Sequence, residues 1–212
     1  MQQLVFVVCL LVPISAQLSM YTVGNFPDPI ERYQACGRPR PSFICDPSGR
    51  LPESTADTID NLVKSIYNET TVPCYSSGPR ATRRKGYIVM VAVVPKMERY
   101  FTLDKKGYSM HTRYREAQYF SYYLGQSIKW GKHSSNCKEM VIILYSVEDG
   151  VLYTSTQAVA RRRLTDEKVQ DTVMEALTIY YPFNSNVRRA AETIEYLVRN
   201  YGESLREDVA TA

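Results

Sequence analysis

Two unbroken apolar runs of strand length constrain this chain more than any other feature. "GYIVMVAVV", Gly86 to Val94, is apolar on both faces and ends at Pro95, and "MVIILYS", Met140 to Ser146, has the same character. A half-solvated strand alternates apolar and polar residues, so unbroken runs belong to strands covered on both sides. After the second run, Asp149-Gly150 is a hairpin turn signal, and Val151 to Thr156 reads as the returning partner strand.

Helical patterns surround these runs. Ile59, Leu62, Val63 and Ile66 form the buried stripe of a first helix, with Pro52 at its first position and Glu53 in its first turn. Ala117, Phe120, Leu124 and Ile128 predict a second helix from about Thr112 to Trp130. A third starts at its N-cap Thr165, with Asp166 and Glu167 in the first turn, buries Val169, Val173, Ala176 and Leu177, and stops at Pro182. A fourth starts near Ser185, carries Val187, Ala191, Ile194, Val198 and Tyr201, and has Gly202 as its C′ residue. The order predicts one α/β domain, a mixed β-sheet layered between helices, with a crossover joining the first two strands.

Residues 1–16 stand apart from this domain. "LVFVVCLLVPIS" is an apolar core ending near the small residue Ala16, and it reads as a cleaved secretory signal. The run is shorter than the roughly 20 residues that span a bilayer. The expected organisation is a signal at 1–16, a lead-in at 17–35, the domain at 36–203 and a polar tail at 204–212. No later run is long enough to span, so membrane association is expected only through a partner. The net charge of +4 is too mild to argue for nucleic acid, and no cofactor is expected.

Cysteine usage agrees with export. Cys9 leaves with the signal, and Cys36, Cys45, Cys74 and Cys137 remain, an even number that allows three pairings. The favoured set is Cys36–Cys45 with Cys74–Cys137, worth about 2.7 and about 4.3 kcal/mol in the chain-entropy view. A metal site is the weaker reading, because there is no C-x-x-C and His111 and His133 lack ligand spacing. Asn68-Glu69-Thr70 is a glycosylation sequon at the end of the first helix. Arg80 to Arg83 spells R-x-x-R within a basic loop, which reads as a solvated surface segment ahead of a processing site.

The wording of several segments resembles a known family. "FPDP", "CGRPRPSFICDPSGRLPESTADTIDNLV", "GYIVMVAVVPKM", "WGKHSSNCKEMVIILYSVEDGVLYTST" and "ARRRLTDEKV" together resemble the TPM domain, and more closely the modulator-of-levamisole-receptor family built on it. The resemblance runs from about Phe26 to Tyr201. It implies an extracellular α/β/α domain acting as an auxiliary subunit of acetylcholine-gated cation channels. It also implies a transmembrane helix after the domain, a feature these residues do not contain.

Other TPM domains are described as phosphatases, so a secreted metal-dependent phosphatase is the rival reading, and a secreted structural or binding protein without a channel partner is a third. Phosphoester hydrolysis needs a nucleophile or metal-bound water, plus cations for the developing charge. Asp46, Glu148, Asp149 and Asp166 are the candidate acids, and Arg161, Arg162 and Arg163 the candidate clamps. Each has a structural role as well. Asp46-Pro47-Ser48-Gly49 has the residue preferences of a type I turn, Asp149 belongs to the hairpin turn, and Asp166 serves a helix N-terminus. No motif assembles these groups, which favours a binding module.

The candidate partner surface lies on the second helix. With Ala117, Phe120, Leu124 and Ile128 inward, steps of 100° bring Arg115, Tyr119, Tyr122 and Gln126 to the opposite face. A stripe of Tyr beside an Arg has the composition of an interface hot spot, and it is expected to dock the channel or another extracellular protein.

Overall fold

The computed structural model describes residues 20–75, 86–101, 109–184 and 186–207. The signal reading, the Arg80–Arg83 loop, Ser185 and the end of the polar tail lie outside the described residues. The order is β1 (Ile44–Cys45), α1 (Glu53–Glu69), β2 (Ile88–Val94), α2 (Met110–Gln126), β3 (Met140–Ser146), β4 (Val151–Thr156), α3 (Asp166–Ile179) and α4 (Val187–Arg206). The sheet runs β1-β2-β3-β4. β1, β2 and β3 are parallel, with Ile88 opposite Met140, and β4 returns antiparallel, with Val151 opposite Ser146. The chain is a single α/β domain built on this mixed sheet.

Both apolar runs are buried along their whole length, for the reason their composition suggests: helices cover each face. Val89, Val91, Val93, Val141, Ile143 and Tyr145 meet Ile59, Val63 and Ile66 of α1 and Ile194, Leu197 and Val198 of α4. The alternate residues Met90, Ala92, Val94, Ile142 and Leu144 meet Phe120 and Leu124 of α2, together with Phe26 and Trp130. The strand period of two therefore divides one sequence between two cores.

The N-terminal residues are part of the second core. Tyr21 bridges to Met97, Phe26 is fully buried, and the Trp130 Nε1–H donates to the Pro27 carbonyl at 2.8 Å. Asp28 is buried beside this contact and accepts from the N–H of Ile30 (2.8 Å) and Glu31 (3.0 Å), with His133 Nε2 at 3.0 Å and Lys132 Nζ at 3.1 Å. Burial pushes the Asp28 carboxyl up, but the Glu31 and Ile30 N–H groups, His133 and Lys132 together hold it below the usual carboxylate range. Its lowered value contributes stability above the unfolded carboxylate pKa, and that stability is lost as pH falls through the folded value.

Cys36 is joined to Cys45 and Cys74 to Cys137. The first bridge ties the N-terminal segment to β1, and the second ties the segment after α1 to the chain entering β3. Gly86 enters β2 where a Cβ would lie 2.0 Å from the Tyr67 carbonyl oxygen, so only glycine lets the strand pass the end of α1.

Four expectations about helices need correction. Ile128 is 90 % exposed, not part of the buried stripe. α2 ends at Gln126 because Ser127 is extended, its N–H and Oγ both donating to the Leu124 carbonyl, so the 100° stepping stops before Ile128. Gly202 is not a C′ residue, since α4 continues to Arg206. A Cβ at Gly202 would sit 3.0 Å from Ile66, so the glycine serves the close approach of α1 and α4. Val187 is exposed in the first turn of α4, and on α3 only Ala176 is fully buried, with Val169, Val173 and Leu177 packed against the core edge. The two-residue β1 carries no periodic signal and was not expected.

Candidate partner-binding surface

α2 crosses β3 and β4, burying Ala117, Phe120 and Leu124 against the sheet. Arg115, Tyr122 and Gln126 are exposed on its other side, Tyr122 at 52 %. Tyr119 is only half exposed. It is the centre of an aromatic cluster, with ring centroids 4.5 Å from Tyr100, 4.4 Å from Tyr123 and 5.7 Å from Phe101. Tyr122 meets Tyr123 edge-on at 5.1 Å, and the Arg115 guanidinium lies 4.4 Å over the Phe101 ring. Offset and edge-on contacts of this kind fix aromatic rings in place.

A buried carboxylate holds the cluster. Glu116 is fully buried on α2 and accepts the Tyr100 N–H at 3.0 Å and the Phe101 N–H at 2.9 Å. It therefore pins the strand-exit segment against the helix so that Tyr100 and Phe101 face Tyr119. Tyr100 is further fixed by its hydroxyl, which accepts the Val23 N–H at 3.1 Å. Sequence reasoning missed Tyr100, Phe101, Tyr123 and Glu116. The available signal was Glu116 itself, a carboxylate one helical turn before Phe120 on the buried face.

The surface continues onto β4. Tyr114 stacks edge-on against Tyr153 at 5.0 Å, and burial pushes the Tyr100, Tyr114 and Tyr153 hydroxyls further above their ordinary range. Phe101, Arg115, Tyr119, Tyr122 and Tyr153 line a hollow of about 340 Å³, with Arg161 and Asp166 also on its wall.

The candidate acids are dispersed. Asp46 is buried after β1 and accepts the Leu51 N–H at 2.6 Å and the Ser48 hydroxyl at 3.2 Å, while Gly49 N–H donates to its carbonyl, closing the turn. Burial, the largest influence, pushes its carboxyl up against these bonds. Asp149 is buried in the hairpin and accepts the Ser146 hydroxyl at 2.5 Å and the Met97 N–H at 3.0 Å. Glu148 pairs with Lys96 at 3.2 Å. Asp166 pairs with Arg161 at 3.2 Å at the opposite end of β4, and Arg162 is exposed beside them with Arg163 half-buried. Among the described residues, no group of three or more His, Cys, Asp or Glu side chains is placed to hold a metal ion. Asn68 is exposed in the last turn of α1.

The α/β domain has relatives. The family model described as modulator of levamisole receptor-1 matches residues 21–150, more than half of the chain, and the chain belongs to that family. The match includes all of α2 and ends at the hairpin. Among solved structures, the N-terminal domain of a protein from P. gingivalis, determined in solution by NMR, is similar over 90 % of this chain and 97 % of that one, with a TM-score of 0.56 at 11 % identity. At that identity the likeness concerns the fold alone. No curated protein matches the chain. Two disulfides fit an oxidising, extracellular setting, and no described helix is long and apolar enough to cross a membrane.

Proposed function

We propose that this protein is an exported auxiliary subunit that binds acetylcholine-gated cation channels of the levamisole-sensitive type and modulates them through the face of α2. The observation that carries the reading is the aromatic array of Tyr119, Tyr122 and Tyr123, flanked by Arg115 and Gln126, on a helix within the family-matched residues. Tyr and Arg dominate interface hot spots because they bury large areas at low entropic cost. Here the rings are already ordered by Glu116, Tyr100 and Phe101, which lowers that cost further. In this reading, residues 1–16 direct export, Asn68 carries a glycan, and the chain reaches the membrane through its partner.

Tyr119 is unsuited to a test, since its ring supports its neighbours. Tyr122→Ser with Gln126→Ala removes two exposed side chains and, within the cluster, only the edge-on contact of Tyr122 with Tyr123. Cells displaying the channel are expected to capture this variant about thirty-fold more weakly than the wild type, the equivalent of a hot-spot loss of about 2 kcal/mol. Its thermal midpoint is expected to stay within about 2 °C, as for a surface change. Equal capture would remove α2 as the docking face.

A further inference from the structure

β4 is an edge strand whose outer side is left unpaired. The Gln157 N–H donates to the Met140 carbonyl at 2.9 Å, and β4 continues that register along β3. Antiparallel alternation then points the main-chain groups of Val151, Tyr153 and Ser155 toward β3, and those of Leu152, Thr154 and Thr156 away from it. The Thr156 carbonyl is taken up by Arg161 at 3.1 Å. No described residue bonds the outward N–H or C=O of Leu152 or Thr154, although both residues are more than nine-tenths buried. Main-chain groups without a protein partner along a strand are rare away from a sheet edge, and an open strand edge is a template for another strand.

The edge is recessed. Tyr114 and Gln118 of α2 stand on one side, Val169, Val173 and Leu177 of α3 on the other, and between them β4 floors a groove of about 860 Å³. The charge at its Thr156 end is unbalanced. Lys138 and Arg161 line the hollow there, against the one acid Asp166 of the neighbouring hollow, which already pairs with Arg161.

We propose that this slot takes an extended segment of a partner protein, which adds to β4 as a fifth strand with apolar side chains at alternate positions and a carboxylate facing Lys138. Leu152 and Thr154 supply the main-chain pairing, α2 and α3 clamp the side chains, and the basic end sets the register. A second copy is a poorer occupant. Its own β4 is equally recessed between helices, and strand pairing requires an approach of about 4.8 Å. The slot extends the proposed docking face beyond α2, but it does not depend on which protein supplies the segment.

The test uses the full chain and a blocked peptide, Asp-Val-Thr-Val-Thr-Val-Thr-Asp, with residue-resolved hydrogen exchange as the readout. In the free protein, the Leu152 and Thr154 amides are expected to exchange fast while those of Tyr153 and Ser155 are protected. Millimolar peptide is expected to slow Leu152 and Thr154 at least ten-fold. The same peptide with alternate amides N-methylated is expected to do nothing. Thr154→Pro, which removes an outward N–H, should lose the effect, and Thr154→Val should keep it. No protection by the peptide would overturn the proposal even if the proline variant does not fold. Protection already present in the free monomer would mean that the chain fills its own edge, and protection rising with protein concentration would mean a second copy; either would also overturn it. The peptide assay omits the channel, so its failure leaves the channel reading standing, and loss of channel capture leaves the slot standing.

Discussion

Trp130→Ala is expected to abolish stable folding or to lower the thermal midpoint by well over 10 °C. The indole is fully buried, packs 5.7 Å from Phe26 and donates to the Pro27 carbonyl. Truncating a buried Trp to Ala costs about 3–5 kcal/mol, and the abandoned carbonyl adds about 1–3 kcal/mol. The whole domain has only about 5–15 kcal/mol in hand. Trp130→Phe keeps most of the volume and loses the donor, so its smaller loss isolates the hydrogen bond. Thermal denaturation followed by circular dichroism checks both. A Trp130→Ala protein that melts like the wild type would mean that the N-terminal segment is not anchored through this ring.

Glu116→Gln is expected to produce the second largest effect and to reach function from inside the fold. The fully buried carboxylate accepts two backbone N–H groups, Oε1 taking both and Oε2 sharing the Tyr100 N–H. An amide with its oxygen in the Oε1 place still accepts both N–H groups but sets its NH₂ against the Tyr100 N–H, and both bonds lose the charge of the acceptor. Bonds to a charged acceptor contribute about 1.5–3 kcal/mol each, so a destabilisation of about 2–3 kcal/mol is expected. The loss falls on the segment carrying Tyr100 and Phe101. Partner capture should therefore weaken, even at temperatures where the sheet remains folded, because Tyr119 loses the rings that order it and Tyr123 packs on Tyr119. Aromatic near-ultraviolet circular dichroism reads this directly: its signal should fall while the far-ultraviolet spectrum is unchanged. Unchanged near-ultraviolet intensity would mean that Glu116 does not position the cluster.

The layered architecture was legible because β2 and β3 are unbroken apolar runs and α1, α2 and α4 keep an apolar stripe. In each case burial and local periodicity make the same demand. β1 was invisible, since two residues have no period, and it exists only because β2 offers it an edge. Ile128 shows the limit of periodicity: the pattern continues after Leu124, but hydrogen bonding by Ser127 ends the helix. Gly202 shows the ambiguity of glycine, which serves either a left-handed turn or a close approach, and only the position of Ile66 distinguishes them. The stepping that brings Arg115, Tyr122 and Gln126 to one face follows from helix geometry alone. The ring contacts of Tyr119 do not, because Tyr100 and Phe101 arrive from a distant segment pinned by a buried acid.

The most direct measurement of the central claim is the acetylcholine-evoked current through a levamisole-sensitive channel expressed with and without this protein. The account predicts that the wild-type chain changes the current. It also predicts that Tyr122→Ser with Gln126→Ala, secreted at the same level and equally stable, leaves the current at that of the channel alone. An identical current with and without the wild-type chain would contradict the channel reading, and a variant that modulates like the wild type would contradict the assignment of the α2 face.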